Sequence, residues 1–305
     1  MPELPEVETV RAGLAESLTN AKVISVKVHD PRSLKRHVAG SKDFIETLTS
    51  RSIEAAVRRG KFLWLPLSRK RGEPQLALMG HLGMSGQLLL RSPDFEPEKL
   101  NRVTITVRTA EKEKLELRFV DQRIFGSLAI DVMEPTEDNM AGGFTGTNLE
   151  YSWSNLIPGQ AKHIARDPLD TNFDLDWVLA KFKAKDSGIK RVLLDQQVVS
   201  GIGNIYADES LFLSGIAPHT PSGTLSRQRL KGLHAALVEV LHTSIGAGGT
   251  TFSDFRDLTG TNGNYGNAAW VYRRGGQPCR VCGTPLRRDK LAGRSSHWCP
   301  TCQAG

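Results

Sequence analysis

Hydrophobic positions near the start of the chain recur at helical spacing. Val7, Val10, Leu14 and Leu18 fall three or four apart and predict one amphipathic helix. The period then changes. Residues 22–28, 53–67, 75–90, 102–109 and 114–120 are rich in Val, Ile, Leu and Thr with Gly, Pro or charged breaks between them, and Leu115, Leu117 and Phe119 alternate with charged neighbours. Strands this dense predict a sandwich or flattened barrel. From about residue 131 to 168 neither period persists and Gly, Asn, Thr and Pro are frequent, which marks a linker and a domain boundary. Helical spacing returns over 176–183, 189–199, 207–214 and 226–245; the last run carries Leu230, Leu233, Leu237, Val238 and Leu241 on one face and Gly246 ends it. The tail reverts to short β-like pieces. The expected class is α+β, with a β-sandwich and its first helix over 2–135, a linker over 136–168, a helical domain over 169–262 and a hairpin tail over 263–305.

Composition adds a class of partner. The 305 residues include 39% hydrophobic positions, as in an ordinary globular protein, and 40 Lys and Arg against 33 Asp and Glu leave a net charge of +7. That balance favours a polyanion without naming one. No stretch approaches the roughly 18 apolar residues of a membrane span, and the acidic N-terminus is unlike a signal peptide, so the expected location is the cytoplasm, with no membrane partner.

All four cysteines lie near the C-terminus, which argues against a secreted disulfide framework. Cys279-x2-Cys282, sixteen residues, then Cys299-x2-Cys302 is the spacing of a four-thiolate zinc hairpin. Four thiolates fill a tetrahedral site and leave no position for water, so this zinc would hold a fold and take no part in catalysis. Around it Arg273, Arg274, Arg280, Arg287, Arg288, Lys290 and Arg294 face one acid, Asp289; that charge suits a phosphate backbone, and equally a solvated face or a protein partner.

The first nine residues, MPELPEVET, carry a second chemistry. If Met1 is removed, Pro2 presents an α-amine whose ordinary pKa of roughly 7.7–8.0 leaves a useful uncharged fraction near neutrality, next to Glu3 and Glu6. Such an amine can attack an electrophilic carbon and form a Schiff base. Pro and Glu are also ordinary helix-start residues, and that reading stands beside the first. Further on, VVSGIGNIYADE (198–209) has two glycines before a helix, a place where backbone N–H groups and Asn204 could meet a phosphate; the same glycines would also serve a tight turn, and a dinucleotide fingerprint is excluded because no strand precedes them.

Taken together these motifs resemble the Fpg/Nei family of bacterial base-excision-repair glycosylases. MPELPEVET opens the chain, RRGKF, HLGMSG and DQRIFG follow, LDQQVVSGIGNIYADESLF (194–212) resembles the family's helix-two-turn-helix signature, and the cysteine tail closes it. MPELPE and HLGMSG point to the formamidopyrimidine-DNA glycosylase branch. The resemblance implies a β-sandwich, a helix-two-turn-helix domain ending in a zinc β-hairpin, and damaged duplex DNA in the cleft between domains. It implies Pro2 as nucleophile at C1′, Glu3 as general acid/base at the sugar, Glu6 as a supporting carboxylate, and Lys61 near the scissile phosphates assisting β-elimination. Met84, Arg123 and Phe125 would form the wedge that replaces an extruded base. Lys185, Asn204 and Arg294 would contact phosphates, with Arg294 also linked to δ-elimination; Lys190 and His81 sit beside motif positions, where His81 also reads as a structural histidine.

The implied activity is excision of 8-oxoguanine and formamidopyrimidines followed by β,δ-elimination, by a monomer with one structural zinc and no organic cofactor. An endonuclease VIII-like oxidised-pyrimidine glycosylase and a catalytically silent lesion binder are the alternatives, separated by assays on 8-oxoguanine and thymine-glycol duplexes and by the state of Met1. Three departures bear on phosphate affinity and lesion choice: Ile124 stands where a second arginine is frequent, Leu100 where some relatives have histidine, and 262–270 (NGNYGNAAW) only loosely matches the lesion-capping loop.

Overall fold

The computed structural model describes residues 2–147, 149–252, 255–291 and 293–304; Met1, on whose removal the Pro2 reading depends, lies outside them. The chain divides into two compact units, one made of the residues up to His163 together with Gly248–Gly263, the other of Ile164–Ala247 and the residues from Asn264 onward.

In the first unit α1 (Leu4–Leu18) starts with Pro5 and Glu6 in its first turn and buries Leu4, Val7, Val10, Leu14 and Leu18. Each such side chain contributes about 1.5–3 kcal/mol by leaving water. After β1 (Lys22–Val28) and the short helix α2 (Gly40–Leu48) come β2 (Val57–Arg59), β3 (Phe62–Pro66), β4 (Leu76–His81), β5 (Gly86–Arg91), β6 (Asn101–Arg108), β7 (Lys114–Asp121), β8 (Ser127–Pro135) and β9 (Leu156–Pro158). They form two antiparallel sheets, β1-β6-β7-β5 and β2-β3-β4-β8-β9. Leu63, Leu65 and Leu78 of one sheet meet Leu88, Ile105, Leu117 and Phe119 of the other around α1, giving the expected sandwich its core.

Several elements differ from the pattern reading. The run 53–67 is a β2–β3 hairpin, because Arg59 pairs with Phe62 and leaves a two-residue turn of Gly60 (φ 56°) and Lys61. The run 75–90 is broken at Gly83 (φ 60°) into β4 and β5. Strand β8 and helix α2 leave little trace in the sequence, since SLAIDVMEP alternates poorly and α2 buries only Phe44 and Leu48. The stretch read as a linker carries structure: β9 pairs with β8, Phe144 exchanges backbone hydrogen bonds with Arg58, and Trp153 Nε1 donates 2.6 Å to Glu54.

The second unit holds α3 (Leu175–Lys183), α4 (Ile189–Leu193), α5 (Asn204–Leu213), α6 (Arg227–Gly246) and a two-stranded hairpin, β10 (Arg287–Leu291) with β11 (Arg294–Trp298). Helix α4 stops well short of 199. Asp195 turns the chain there by accepting the Gln197 N–H, and Gln196 bridges the Ile202 carbonyl and the Gly201 N–H. Among the described residues no helix is long and apolar enough to cross a membrane.

Candidate active site

Pro2 precedes α1 and is buried, as are Glu3 (3% exposed) and Glu6 (0%). The Glu6 carboxylate joins two backbone segments: Oε2 accepts the Glu3 N–H at 2.7 Å and Oε1 accepts the Thr250 N–H at 2.9 Å. Two residues further along α1, Glu8 accepts from Arg11 at 2.9–3.0 Å and from Arg58 Nε at 2.9 Å, and both guanidinium groups lie over the Phe144 ring. This buried carboxylate with two cations fixes α1 to β2; a lone Glu8 gave no sign of it in the sequence.

Lys61 is half-buried in the β2–β3 turn. Close by, burial first and then the charges of Arg36, Lys61 and Lys35 hold His81 down at about 4. The ring is therefore neutral near pH 7, and its Nδ1 accepts the Gly83 N–H at 3.2 Å, which puts the proton on Nε2. Lys61 thus belongs, with Lys35 and Arg36, to a cationic cluster around a neutral His81.

Met84, Arg123 and Phe125 lie on two turns, 82–85 and 122–126, that pack backbone to backbone. A Cβ at Gly83 would meet the Phe125 carbonyl carbon at 2.5 Å. Asp121, fully buried, ties the turns together: it accepts from Ser85 Oγ at 2.6 Å, the Arg123 N–H at 3.1 Å and the Gly126 N–H at 2.7 Å. Lys35 Nζ donates to the Ile124 and Phe125 carbonyls. The result exposes Met84 (44%) and Phe125 (49%), with Arg123 5.5 Å over the Phe125 ring. Ile124 has φ 55°, a left-handed conformation that a β-branched residue rarely adopts, so these contacts hold a strained turn.

In the second unit Lys185 Nζ pairs with Asp195 at 2.7 Å. Asn204, the first residue of α5, donates its amide to the Ser295 carbonyl at 2.8 Å, and Lys190 Nζ reaches the same carbonyl at 2.8 Å. Asn204 is thereby joined to β11, whose first residue, Arg294, is exposed beside Gly293 (φ 79°). Two adjacent buried acids in α5 do the remaining anchoring. Asp208 takes Lys190 Nζ at 2.6 Å, the His297 N–H at 2.8 Å and Ser296 Oγ at 3.1 Å. Glu209, pushed up by burial against the pull of its donors, accepts the N–H groups of Trp270, Val271 and Tyr272 at 2.7–3.0 Å. In the sequence both acids look like ordinary surface charges; their one signal is an adjacent acid pair inside an otherwise apolar helix.

Family models match along the chain in order: the formamidopyrimidine-DNA glycosylase N-terminal domain over 1–128, its H2TH domain over 164–256, and the zinc finger found in FPG and IleRS over 276–305. A formamidopyrimidine-DNA glycosylase of Leifsonia xyli subsp. xyli is 47% identical over 304 residues, covering 99% of each chain, and one of Parasynechococcus marenigrum is 46% identical over 304 residues, covering 99% of this chain and 100% of its own. The chain belongs to the formamidopyrimidine-DNA glycosylase family. Solved Lactococcus lactis Fpg structures match its fold at 29% identity: a complex with abasic-site DNA (TM-score 0.78, 99% of each chain) and one with oxidised-pyrimidine DNA (TM-score 0.79, 100% of each chain).

As a member of this family the glycosylase is a DNA-repair enzyme with a zinc finger, and its cysteines fit the ion. The four Sγ atoms lie within 4.8 Å of one another, with Cys279–Cys302 at 3.9 Å and Cys282–Cys299 at 3.5 Å. A Zn–S tetrahedron has edges of about 3.8 Å. Thr284 holds the Cys282 thiol down at about 6, whereas burial pushes Cys299 and Cys302 up; zinc takes all four as thiolates. The ion is structural and pins the base of the β10–β11 hairpin.

Proposed function

We propose that this glycosylase excises oxidised purines, 8-oxoguanine and formamidopyrimidines, from duplex DNA and then cleaves the strand at the resulting sugar. The observation that carries the reading is the buried N-terminal arrangement: Pro2 and Glu3 at the head of α1, with the Glu6 carboxylate on the Glu3 N–H at 2.7 Å. With Met1 removed, the Pro2 nitrogen attacks C1′, the C1′–base bond breaks, and opening of the sugar ring leaves an iminium on Pro2. Glu3 serves as the general acid/base at the sugar, and Glu6 supports it. β-Elimination then expels the 3′-phosphate and δ-elimination the 5′-phosphate, assisted by Lys61 and Arg294 respectively.

Extrusion of the lesion leaves a hole in the stack. Met84 and Phe125, exposed and adjoining, suit the insertion of apolar groups there, and Arg123 suits hydrogen bonding to the orphaned partner base. The cluster of Lys35, Arg36 and Lys61 around a neutral His81, together with Asn204 and Arg294 at the zinc hairpin, suits phosphate contact. Lys185 would reach a phosphate in competition with Asp195.

Borohydride trapping tests this. Protein whose N-terminus is Pro2 by mass spectrometry is incubated with a duplex carrying 8-oxoguanine opposite cytosine. A covalent adduct mapping to Pro2, lost together with strand cleavage in Pro2→Gly, is the expected result. Tight binding without an adduct overturns the lyase step. A thymine-glycol duplex run in parallel distinguishes the oxidised-pyrimidine alternative, which the Lactococcus lactis complex with oxidised-pyrimidine DNA keeps in view.

A further inference from the structure

Residues 248–252 and 255–263 belong to a loop of the first unit, although the chain on either side of it is assigned to the second. Its neck is backbone against backbone: a Cβ at Gly263 would lie 2.2 Å from the Gly249 carbonyl oxygen, and Gly249 has φ 89°. Only glycine fits both places. Just inside the neck, the Thr250 N–H meets Glu6. Phe255 and Leu258 are buried in the sandwich core, and Leu258 Cδ1 would stand 2.8 Å from a Cβ at Gly13, which lies two turns beyond Glu6 on the same side of α1. The described parts of the loop therefore meet, at two points, the helix that carries Pro2 and Glu3 at its head.

Arg91, at the end of β5, latches the far end. Its Nη1 donates to the carbonyls of Leu258 and Thr259 at 3.1 Å and of Leu90 at 3.0 Å, while Nε pairs with Glu98 at 2.9 Å. The Leu90 N–H adds a bond of 2.9 Å to the Leu258 carbonyl. Within the loop Asp257 Oδ1 accepts the N–H groups of Thr259 and Thr261, both at 2.9 Å, so the latched end is a stiff turn.

We propose that Arg91 is a positioning residue for the nucleophile, acting through this loop; the inference rests on the assignment of Pro2 above. A fully buried carboxylate follows its donors, because leaving one unmet in the interior is costly. A shift of the loop therefore moves the Thr250 N–H, turns Glu6, and displaces the Glu3 N–H that adjoins Pro2. Lysine, a single point charge, cannot hold the carbonyls and Glu98 at once, as Arg91 does through Nη1 and Nε.

The test is single-turnover excision of 8-oxoguanine with borohydride quantification of the Pro2 adduct, alongside affinity for a duplex containing a reduced abasic site. Arg91→Met lowers the rate of adduct formation roughly tenfold to hundredfold, leaves affinity within about twofold, and Arg91→Lys recovers only part of the rate. Gly263→Ala, which opens the neck without touching Arg91, reproduces the loss should Arg91→Met fail to fold. Arg51→Met is the control: Arg51 is a buried arginine of the same unit that holds Thr47, Ser68 and Glu73 instead of the loop, so its loss lowers stability and spares the rate. A wild-type rate in both folded Arg91→Met and Gly263→Ala, or an equal loss in Arg51→Met, overturns the proposal. Absence of a Pro2 adduct in the wild type overturns the nucleophile assignment itself.

Discussion

Replacing Lys190 by Met would expose how the zinc hairpin is held. Lys190 and Asp208 are 2% and 1% exposed and their charged atoms are 2.6 Å apart. At an effective dielectric of about 20 their attraction is about 6 kcal/mol, largely offset by the cost of taking both from water. Removing the cation alone leaves Asp208 buried with Ser296 Oγ, the His297 N–H and the His297 ring as partners, and withdraws a donor from the Ser295 carbonyl. The expected loss is about 3–5 kcal/mol. The double variant Lys190→Met/Asp208→Asn removes the stranded charge and keeps an acceptor for the His297 N–H, so at least half of the loss should return. Urea unfolding followed by tryptophan fluorescence reads the stability, with Trp298 in β11 itself, and transfer of zinc to a chromophoric chelator reads the hairpin directly. A loss below about 1 kcal/mol for the single variant, or no recovery in the double, would refute the view that this pair carries the hairpin.

Asp121→Ala should cost about 2–4 kcal/mol through three orphaned donors and weaken binding to lesion duplexes more than to undamaged DNA, measured by competition, because it frees the turns bearing Met84 and Phe125. His81 has a folded pKa of about 4 against 6.5 unfolded, so the unfolded chain binds more protons between those values and stability must rise with pH across that window. The contribution is about 3 kcal/mol, present above pH 6.5 and lost as pH falls toward 4; urea midpoints at pH 5 and 7.5 should differ less in His81→Gln than in the wild type. Stripping zinc with a chelator should remove hydrogen-exchange protection from residues 287–298 while the sandwich keeps its own, and exchange unchanged in the hairpin would count against a structural ion.

Much of this protein lay open in one dimension. The spacing of Val7, Val10, Leu14 and Leu18 determined α1, alternation determined β7, and Cys279, Cys282, Cys299 and Cys302 determined the zinc site, because each signal is local and set by helix period, pleat or ligand geometry. Hairpins within apolar runs were harder, since only a positive φ at Gly60 or Gly83 divides them. What tertiary structure alone decided are the pairings between residues far apart in sequence. Glu6 meets Thr250, Glu8 meets Arg58, Asp121 locks two turns, Asp208 and Glu209 hold the tail, and Arg91 grips a loop some 167 residues away. Buried carboxylates and guanidinium groups look in sequence like any surface charge; which of them are interior, and which donors they meet, depends on closure of the whole chain, because a charge is tolerated inside only where its partners have already been brought to it.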